Sequence, residues 1–240
     1  MSQETLGDRM KSYEALEANR KAMNTLPTIC RLDGRAFHTL CRGMTKPFDH
    51  NFLTLMNEVT AFLVDQLNAT IGYVQSDEIT LAFPIESILF DGRYQKINSI
   101  AAGLASSKFN QLLPKYFPNK ADKLQVFDAR CWQVPSKQEA CNAFLWREND
   151  ATKNSISMLA QSKFSHSELQ NKNTSQMHEM LFQKFNINWN DLPARQKRGS
   201  YFRKESIQTP VSEELAKTLT ENNLSVPEFV IRSRVVEVDM

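Results

Sequence analysis

Residues 70–83 read TIGYVQSDEITLAF, and this stretch decides the fold that we expect for the whole chain. Two apolar runs, Thr70–Gln75 and Ile79–Phe83, are separated only by a Ser-Asp-Glu turn at positions 76–78. Two strand-like runs joined by so short a polar turn predict a β-hairpin. The turn places the carboxylate of Asp77 at a strand end, where side chains from neighbouring strands can converge.

A second acidic turn lies upstream of the hairpin. The run Thr28–Leu32 reads as a short strand, and Asp33 with Gly34 closes it. Because glycine takes turn conformations at little cost, an Asp-Gly pair after a strand is often only a turn. Two carboxylates at adjacent strand ends, however, suit a pair of Mg²⁺ ions and a nucleoside triphosphate.

The order of the predicted elements makes the two acidic turns neighbours. Helical periodicity predicts a helix at Asp49–Asn68, before the hairpin, and another at Tyr94–Leu113, which Pro114 should end. A further strand is predicted at Gln125–Val134. The resulting order, β-α-β-β-α-β, is the ferredoxin-like pattern, in which the first strand lies beside the hairpin. The carboxylates of the two turns should therefore meet.

The flanking segments are predicted to be mostly helical. The expected elements are helices at Gly7–Asn24, Lys137–Phe164 and Ser175–Phe185 and a strand at Val235–Val238. We therefore predict an α+β fold with a ferredoxin-like domain at 1–135, which includes the N-terminal helix. A mostly helical extension at 136–240 should pack on that domain.

Composition is that of a globular protein. Of its 240 residues, 41% are hydrophobic and 23% are charged, which is enough for a sizeable core. A net charge of +2 neither requires nor excludes nucleic acid. Residues 1–5 are polar and no apolar run approaches the roughly 18 residues of a membrane helix, so we expect a cytoplasmic protein without membrane segments. The four cysteines form no Cys-x-x-Cys pair and fit reduced intracellular thiols.

Basic residues surround the first acidic turn. They are Arg31, Arg35, His38, Arg42 and Lys46. Clustered bases beside clustered acids suit Mg²⁺ with a triphosphate, and a structural network of salt bridges is the alternative. In two-metal chemistry Asp33 and Asp77 would bridge both ions, and the carbonyl of Gly34 would complete a coordination sphere. Glu78 would be either a third ligand or a solvated neighbour.

Other polar groups have two interpretations each. Backbone N–H groups from Arg35 to His38 could hold phosphate oxygens, while the His38 side chain could only cap or pack. Arg93 and Lys96 open a helix, where anions are favoured, or belong to an ordinary solvated face. Lys197-Arg198 is either a contact to an RNA backbone or a plain surface loop.

Taken together, these motifs resemble the tRNA-histidine guanylyltransferase family and its relatives, the guanylyltransferase-like tRNA-repair proteins. The resemblance runs from about residue 31 to residue 200. It is carried by Arg31–His38, Lys46-Pro47, Leu55–Asn57, Gln75–Glu78, Phe127–Arg130, Trp146-Arg147, Asn173-Thr174, Leu181-Phe182, Phe185–Asn190 and Lys197–Ser200. No single motif is decisive, but the set, in this order and at similar spacing, is highly specific.

The resemblance implies a polymerase-like palm that adds nucleotides to the 5′ end of tRNA, in the 3′-to-5′ direction, after activation of that end with ATP or GTP. It implies that Asp33 and Asp77 bind both Mg²⁺ ions, with Gly34 as a carbonyl ligand. The nucleotide-binding segments would be Asp33, Gly34, Arg35, Ala36, Phe37, His38, Ser76 and Asp77, with Lys46, Arg93 and Lys96 at the triphosphate. Contacts to tRNA would come from Arg130, Asn154, Lys197 and Arg198, in a homotetramer.

One segment departs from the family pattern. Eukaryotic guanylyltransferases usually carry a His-Ile-Asn-Asn-Leu-Tyr-Asn motif shortly after the Trp-Arg pair, whereas residues 150–158 here read DATKNSISM, and only Asn154 clearly matches. This favours template-directed repair of 5′-truncated tRNA over the alternative, a dedicated enzyme that adds one guanosine to tRNA-histidine. More distant alternatives are a palm-type nucleotide cyclase and a tRNA-binding module without catalysis.

Overall fold

The computed structural model describes residues 5–86, 89–222 and 224–238. Its helices are α1 Leu6–Ala18, α2 Phe37–Leu40, α3 His50–Gln66, α4 Tyr94–Tyr116, α5 Lys137–Gln161, α6 His166–Leu169, α7 Thr174–Phe185, α8 Ala194–Lys197 and α9 Glu213–Glu221. Its strands are β1 Thr28–Gly34, β2 Ile71–Gln75, β3 Glu78–Phe83, β4 Phe127–Gln133, β5 Ser200–Pro210 and β6 Phe229–Val238.

The strands form one antiparallel sheet in the order β4-β1-β3-β2-β5-β6. The first four have the ferredoxin-like arrangement, so the predicted α+β class and the β-α-β-β-α-β order are confirmed. Strand β1 pairs with β3 from the hairpin, as predicted. This pairing is what brings the two acidic turns to one place.

The two faces of the sheet differ because side chains alternate along each strand. On one face, Cys30 and Leu32 of β1 join Ile79 and Leu81 of β3 in the main core, which helices α3 and α4 cover. On the other face a smaller apolar cluster packs against α5 and includes Ile29, Tyr73, Ala82, Phe144 and Tyr201. Arg31 and Asp33 alternate with the core residues of β1, and so they belong to this second face.

Helix α3 follows its sequence signals closely. The carboxylate of Asp49 caps the helix by accepting a hydrogen bond from the N–H of Phe52 at 3.1 Å. The predicted apolar stripe is buried against the sheet at Phe52, Leu55, Met56, Val59 and Leu63.

Several predicted boundaries differ from the structure. Helix α1 ends at Ala18, and α4 continues past Pro114 to Tyr116. Proline lacks the N–H for one bond of that last turn, but burial of Leu112 and Leu113 keeps the segment helical. Strand β5 was not predicted, and β6 is longer than the predicted Val235–Val238.

The C-terminal region is therefore more than a helical extension. Helices α5 to α9 lie in it, but β5 and β6 also extend the sheet beyond β2. The division at residue 135 stays a prediction. Residues 1–4 of the predicted polar N-terminus lie outside the described residues. Positions 87 and 88, in the loop before α4, also lie outside them. Among the described helices, none is both long and apolar enough to cross a membrane.

Candidate active site

The structure brings the two acidic turns into contact. The N–H of Gly34 donates a hydrogen bond to the carbonyl oxygen of Asp77 at 3.1 Å. In the β1–β3 ladder Asp33 is the partner of Glu78, which directly follows Asp77. Both aspartates line the same cleft. Their proximity follows from strand pairing, as the sequence predicts.

The electrostatics of the pair favour a cation. Burial raises the pKa of Asp77, and the nearby carboxylate of Asp33 raises it further, while His38 and hydrogen bonds to the carboxylate act in the opposite direction. The hydroxyl of Ser76 supplies one of these hydrogen bonds, at 3.1 Å. Two neighbouring, partly desolvated carboxylates are costly while both are charged, and a bound metal ion relieves that cost.

The cleft has a volume of about 500 Å³ and three walls. The sheet wall holds the two aspartates. The second wall is the segment 41–49 between α2 and α3, and the third consists of α5 with α8. The predicted site residues that line the cleft are Asp33, Lys46, Ser76, Asp77, Asn154 and Lys197.

The turn after β1 is shaped by a buried phenyl ring. Phe37 is 2% exposed and packs against the rings of Phe109 and Phe127 in the main core. Its side chain therefore belongs to the core, so any contact it makes to a nucleotide has to come from its backbone. Ala36 adopts a left-handed conformation (φ 57°) that starts α2, which has no side-chain cap. The N–H of Arg35 is already bound to the carbonyl oxygen of Val126 at 2.9 Å.

Other predicted residues lie away from the lining of the cleft. Arg93 is near Asp91, at 3.9 Å, and the ammonium of Lys96 lies 5.1 Å from the ring centroid of Phe90. Their role at the triphosphate stays a prediction.

The two remaining predicted tRNA contacts, Arg130 and Arg198, lie beside acidic side chains on the surface. Arg130 pairs with Asp128 at 2.7 Å, and Arg198 lies 3.9 Å from Glu148. Both arginine side chains are about half exposed, which leaves them accessible to RNA.

Sequence reasoning assigned no role to Arg147, which the structure places at the site. Its guanidinium forms an ion pair with both carboxylate oxygens of Glu78 and a second with Asp150 at 2.9 Å. The sequence feature that could have identified Arg147 is the Trp-Arg pair at positions 146 and 147. Trp146 is half exposed, whereas a tryptophan in a sequence is more often part of the core.

The donor set at the pair fits Mg²⁺. Carboxylate and carbonyl oxygens are hard ligands, and Mg²⁺ is commonly bound by one or two carboxylates together with substrate phosphates. Asp33, Asp77 and the carbonyl of Gly34 meet this description. Over the described part of the chain, no group of three or more His, Cys, Asp or Glu side chains is arranged for a metal ion.

Comparison with known proteins gives consistent matches over nearly the whole chain. A family model described as tRNAHis guanylyltransferase matches residues 7–135, and one described as the Thg1 C terminal domain matches residues 142–239. The tRNA(His) guanylyltransferase of Neurospora crassa is 31% identical over 228 residues, which cover 86% of this chain and 77% of that protein.

Two solved structures are also similar. A bacterial tRNA(His) guanylyltransferase (Thg1)-like protein in complex with ATP has a TM-score of 0.79 and 40% identity, and the match covers 84% of this chain and 89% of that one. A bacterial Thg1-like protein in complex with GTP has a TM-score of 0.73 and 34% identity, over 97% and 90% of the two chains.

Proposed function

Since this chain belongs to the tRNA-histidine guanylyltransferase family and is a nucleotidyltransferase, we propose that it adds nucleotides to the 5′ end of tRNA in the 3′-to-5′ direction. The observation that carries the proposal is that Asp33 and Asp77 line one cleft that also has basic residues in its walls. ATP or GTP would activate the 5′ end, and the 3′-hydroxyl of the incoming nucleotide would attack it.

Asp33, Asp77 and the carbonyl of Gly34 are the groups that we propose to hold two Mg²⁺ ions. Bound there, the metal would lower the pKa of the attacking hydroxyl and neutralise charge on the leaving phosphates. The raised pKa of Asp77 supports this assignment, because a buried carboxylate beside another one is stabilised by a cation.

The triphosphate would lie along the basic and backbone donors near the pair. Lys46 lines the cleft, and the turn after β1 offers backbone N–H groups of residues 37 and 38. The bound ATP and GTP of the two similar bacterial proteins support nucleotides as ligands of this chain.

We propose templated repair of 5′-truncated tRNA as the form of the reaction, with single guanosine addition as the alternative. The segment 150–158 that departs from the family motif lies on α5, and Asp150, Asn154 and Met158 of that segment line the cleft. A different sequence in segment 150–158 would change the wall of the cleft and therefore which substrates the cleft accepts.

The deciding experiment compares two labelled tRNAs, with Mg²⁺, ATP and all four nucleoside triphosphates. One is tRNA-histidine without its extra 5′ guanosine, and the other is a different tRNA that lacks its first 5′ nucleotide. Faster, template-matched filling of the truncated tRNA supports repair, and a single guanosine on tRNA-histidine alone supports the dedicated enzyme. Turnover of triphosphate without RNA would indicate a cyclase, and tRNA binding without addition would indicate a binding module.

Asn154 and Lys197 in the cleft, with the exposed Arg130 and Arg198, would contact tRNA. A chain with a net charge of +2 binds a polyanion better when basic surfaces of several copies combine, which favours a homotetramer. We expect this assembly to work in the cytoplasm.

A further inference from the structure

A buried ion pair lies directly beside the two aspartates. The Nη2 atom of Arg147 is 2.9 Å from Oε2 of Glu78, and Nε contacts Oε1 of the same carboxylate. The two side chains are only 8% and 12% exposed. The indole ring of Trp146 covers the guanidinium, whose central carbon lies 4.5 Å from the ring centroid.

Stability alone is a poor explanation for this pair. Removing two charges from water costs free energy that their attraction often fails to offset, so apolar residues would serve as well. What a bidentate arginine–carboxylate pair supplies is a fixed orientation. The same Nη2 atom of Arg147 also donates to Asp150 at 2.9 Å, and the Asp150 carboxylate accepts a further hydrogen bond from Asn154 at 3.3 Å.

Glu78 lines the same cleft as the two aspartates. It follows Asp77 in the chain and is the cross-strand partner of Asp33. Nevertheless, across residues 5–86, 89–222 and 224–238 no three such side chains converge on a metal position. Both oxygens of Glu78 are directed to Arg147 instead.

We propose that Arg147 is a positioning residue that holds Glu78 out of the metal site, so that two carboxylates rather than three face the metal. The number of ligand charges sets how tightly a hard cation is bound. With two carboxylates, two divalent ions leave net positive charge that attracts a triphosphate, and a third carboxylate would cancel part of it. This inference rests on the proposed function, because it takes Asp33 and Asp77 as metal ligands.

The test is Mn²⁺ binding to the full-length protein without nucleotide, measured by electron paramagnetic resonance. Arg147→Met should release Glu78 as an additional charged ligand and so tighten Mn²⁺ binding about tenfold, while the KM for the triphosphate rises. The double variant Arg147→Met/Glu78→Gln should return to the wild-type Mn²⁺ affinity. Unchanged affinity in Arg147→Met, or no reversal in the double variant, would overturn the proposal.

Two milder variants keep the test decisive if Arg147→Met fails to fold. Glu78→Gln keeps one oxygen that accepts a hydrogen bond from Arg147 and should leave Mn²⁺ affinity unchanged. Weaker binding would identify Glu78 as a ligand and overturn the proposal. Arg147→Lys keeps the charge without the two-point contact and should give an intermediate affinity, whereas the wild-type value would contradict the role of the two-point contact.

A reference variant separates this inference from the proposed function. Asp77→Asn should lose Mn²⁺ binding. If it does not, the metal site itself is wrong. If Asp77→Asn loses Mn²⁺ binding while Arg147→Met and Arg147→Lys keep the wild-type affinity, only the proposed role of Arg147 is wrong.

Discussion

The N–H of Gly34 donates to the carbonyl oxygen of Asp77 at 3.1 Å and so fastens the turn after β1 to the turn before β3. The bond joins two segments that are far apart in sequence, at the point where each carries its carboxylate. The geometry of the site therefore depends on how closely these two backbones approach.

Gly34→Ala should disturb that approach. An added Cβ would lie 2.5 Å from the ring of Phe37, which is itself packed in the core and has no free space to move into. We expect a loss of about 1–3 kcal/mol in the free energy of unfolding and a fall in nucleotide addition. Urea unfolding and the tRNA assay measure the two effects.

Gly103→Ala is the matched control for Gly34→Ala. Gly103 lies in α4, where an added Cβ meets nothing within 4 Å. Alanine in a helix interior should stabilise the fold by about 0.5–1 kcal/mol. Equal destabilisation by both variants would mean that the space around Gly34 has no special importance.

Asp33→Asn and Asp77→Asn should each abolish most nucleotide addition while the fold is retained. A metal ligand at the reaction centre contributes several kcal/mol to transition-state stabilisation, which is a rate loss of at least about 100-fold. Single-turnover rates on tRNA, with circular dichroism as the folding check, give the measurement.

Asp128→Asn serves as the comparison for the two aspartate variants. Asp128 is the partner of Asp33 in the neighbouring β1–β4 ladder, but it is exposed and paired with Arg130, outside the lining of the cleft. Its loss should leave the rate within about threefold of wild type, since surface pairs contribute little. An equal loss in all three variants would point to a general electrostatic effect.

The rate at which the Cys41 thiol is alkylated should depend on the negative charge of Asp77. Burial raises the pKa of this thiol to about 11, with a further contribution from the carboxylate of Asp77. The fold thus favours the protonated form, and its contribution to stability is lost as pH rises through that value. Because the thiolate is the nucleophile, alkylation by iodoacetamide should speed up about tenfold per pH unit from 8 to 10.

Peptide mass spectrometry can follow Cys41 separately from the exposed Cys141. In Asp77→Asn the neighbouring negative charge is gone, so Cys41 should react faster than in wild type at the same pH. A rate that levels off below pH 9 would show that the pKa of Cys41 is not raised as far as expected. Equal rates in the two proteins would show that the carboxylate of Asp77 does not act on this thiol.

The sequence allowed prediction of those parts of the fold that carry strong periodicity. Strand β1, the hairpin β2–β3 and helix α3 combine apolar spacing with polar turns, and these elements place Asp33 beside Asp77. Strand β5 was missed because Arg203, Lys204 and Glu205 interrupt the apolar pattern that identifies a strand. Its place in the sheet is set by pairing with β2 and β6, which a local pattern does not encode.

The role of Arg147 was missed for a similar reason. Its side chain matters through Glu78, which lies 69 positions earlier in the chain. Only the packing of α5 on the sheet brings the two together. An arginine inside a helix otherwise reads as an ordinary surface residue.

Helix α1 leads to a prediction about assembly. Its large apolar side chains are exposed, at 66% for Leu6, 47% for Met10, 57% for Tyr13 and 82% for Leu16, and at helical spacing they form one broad stripe that also contains Arg9. We predict that the stripe pairs with α1 of a second copy. In an antiparallel pair of this kind, Met10 of one copy would lie against Tyr13 of the other, which is in line with the proposed homotetramer.

Met10→Glu/Tyr13→Glu should therefore dissociate the assembly, because it would bury four uncompensated carboxylates between two helices. Light scattering coupled to size-exclusion chromatography should show a smaller species than wild type, with unchanged circular dichroism. Lys11→Glu, which changes an exposed residue of α1 off the stripe, is the control and should keep the wild-type mass. If the double variant also keeps that mass, α1 is not the surface through which the copies associate, and the edge strand β6 becomes the next surface to test.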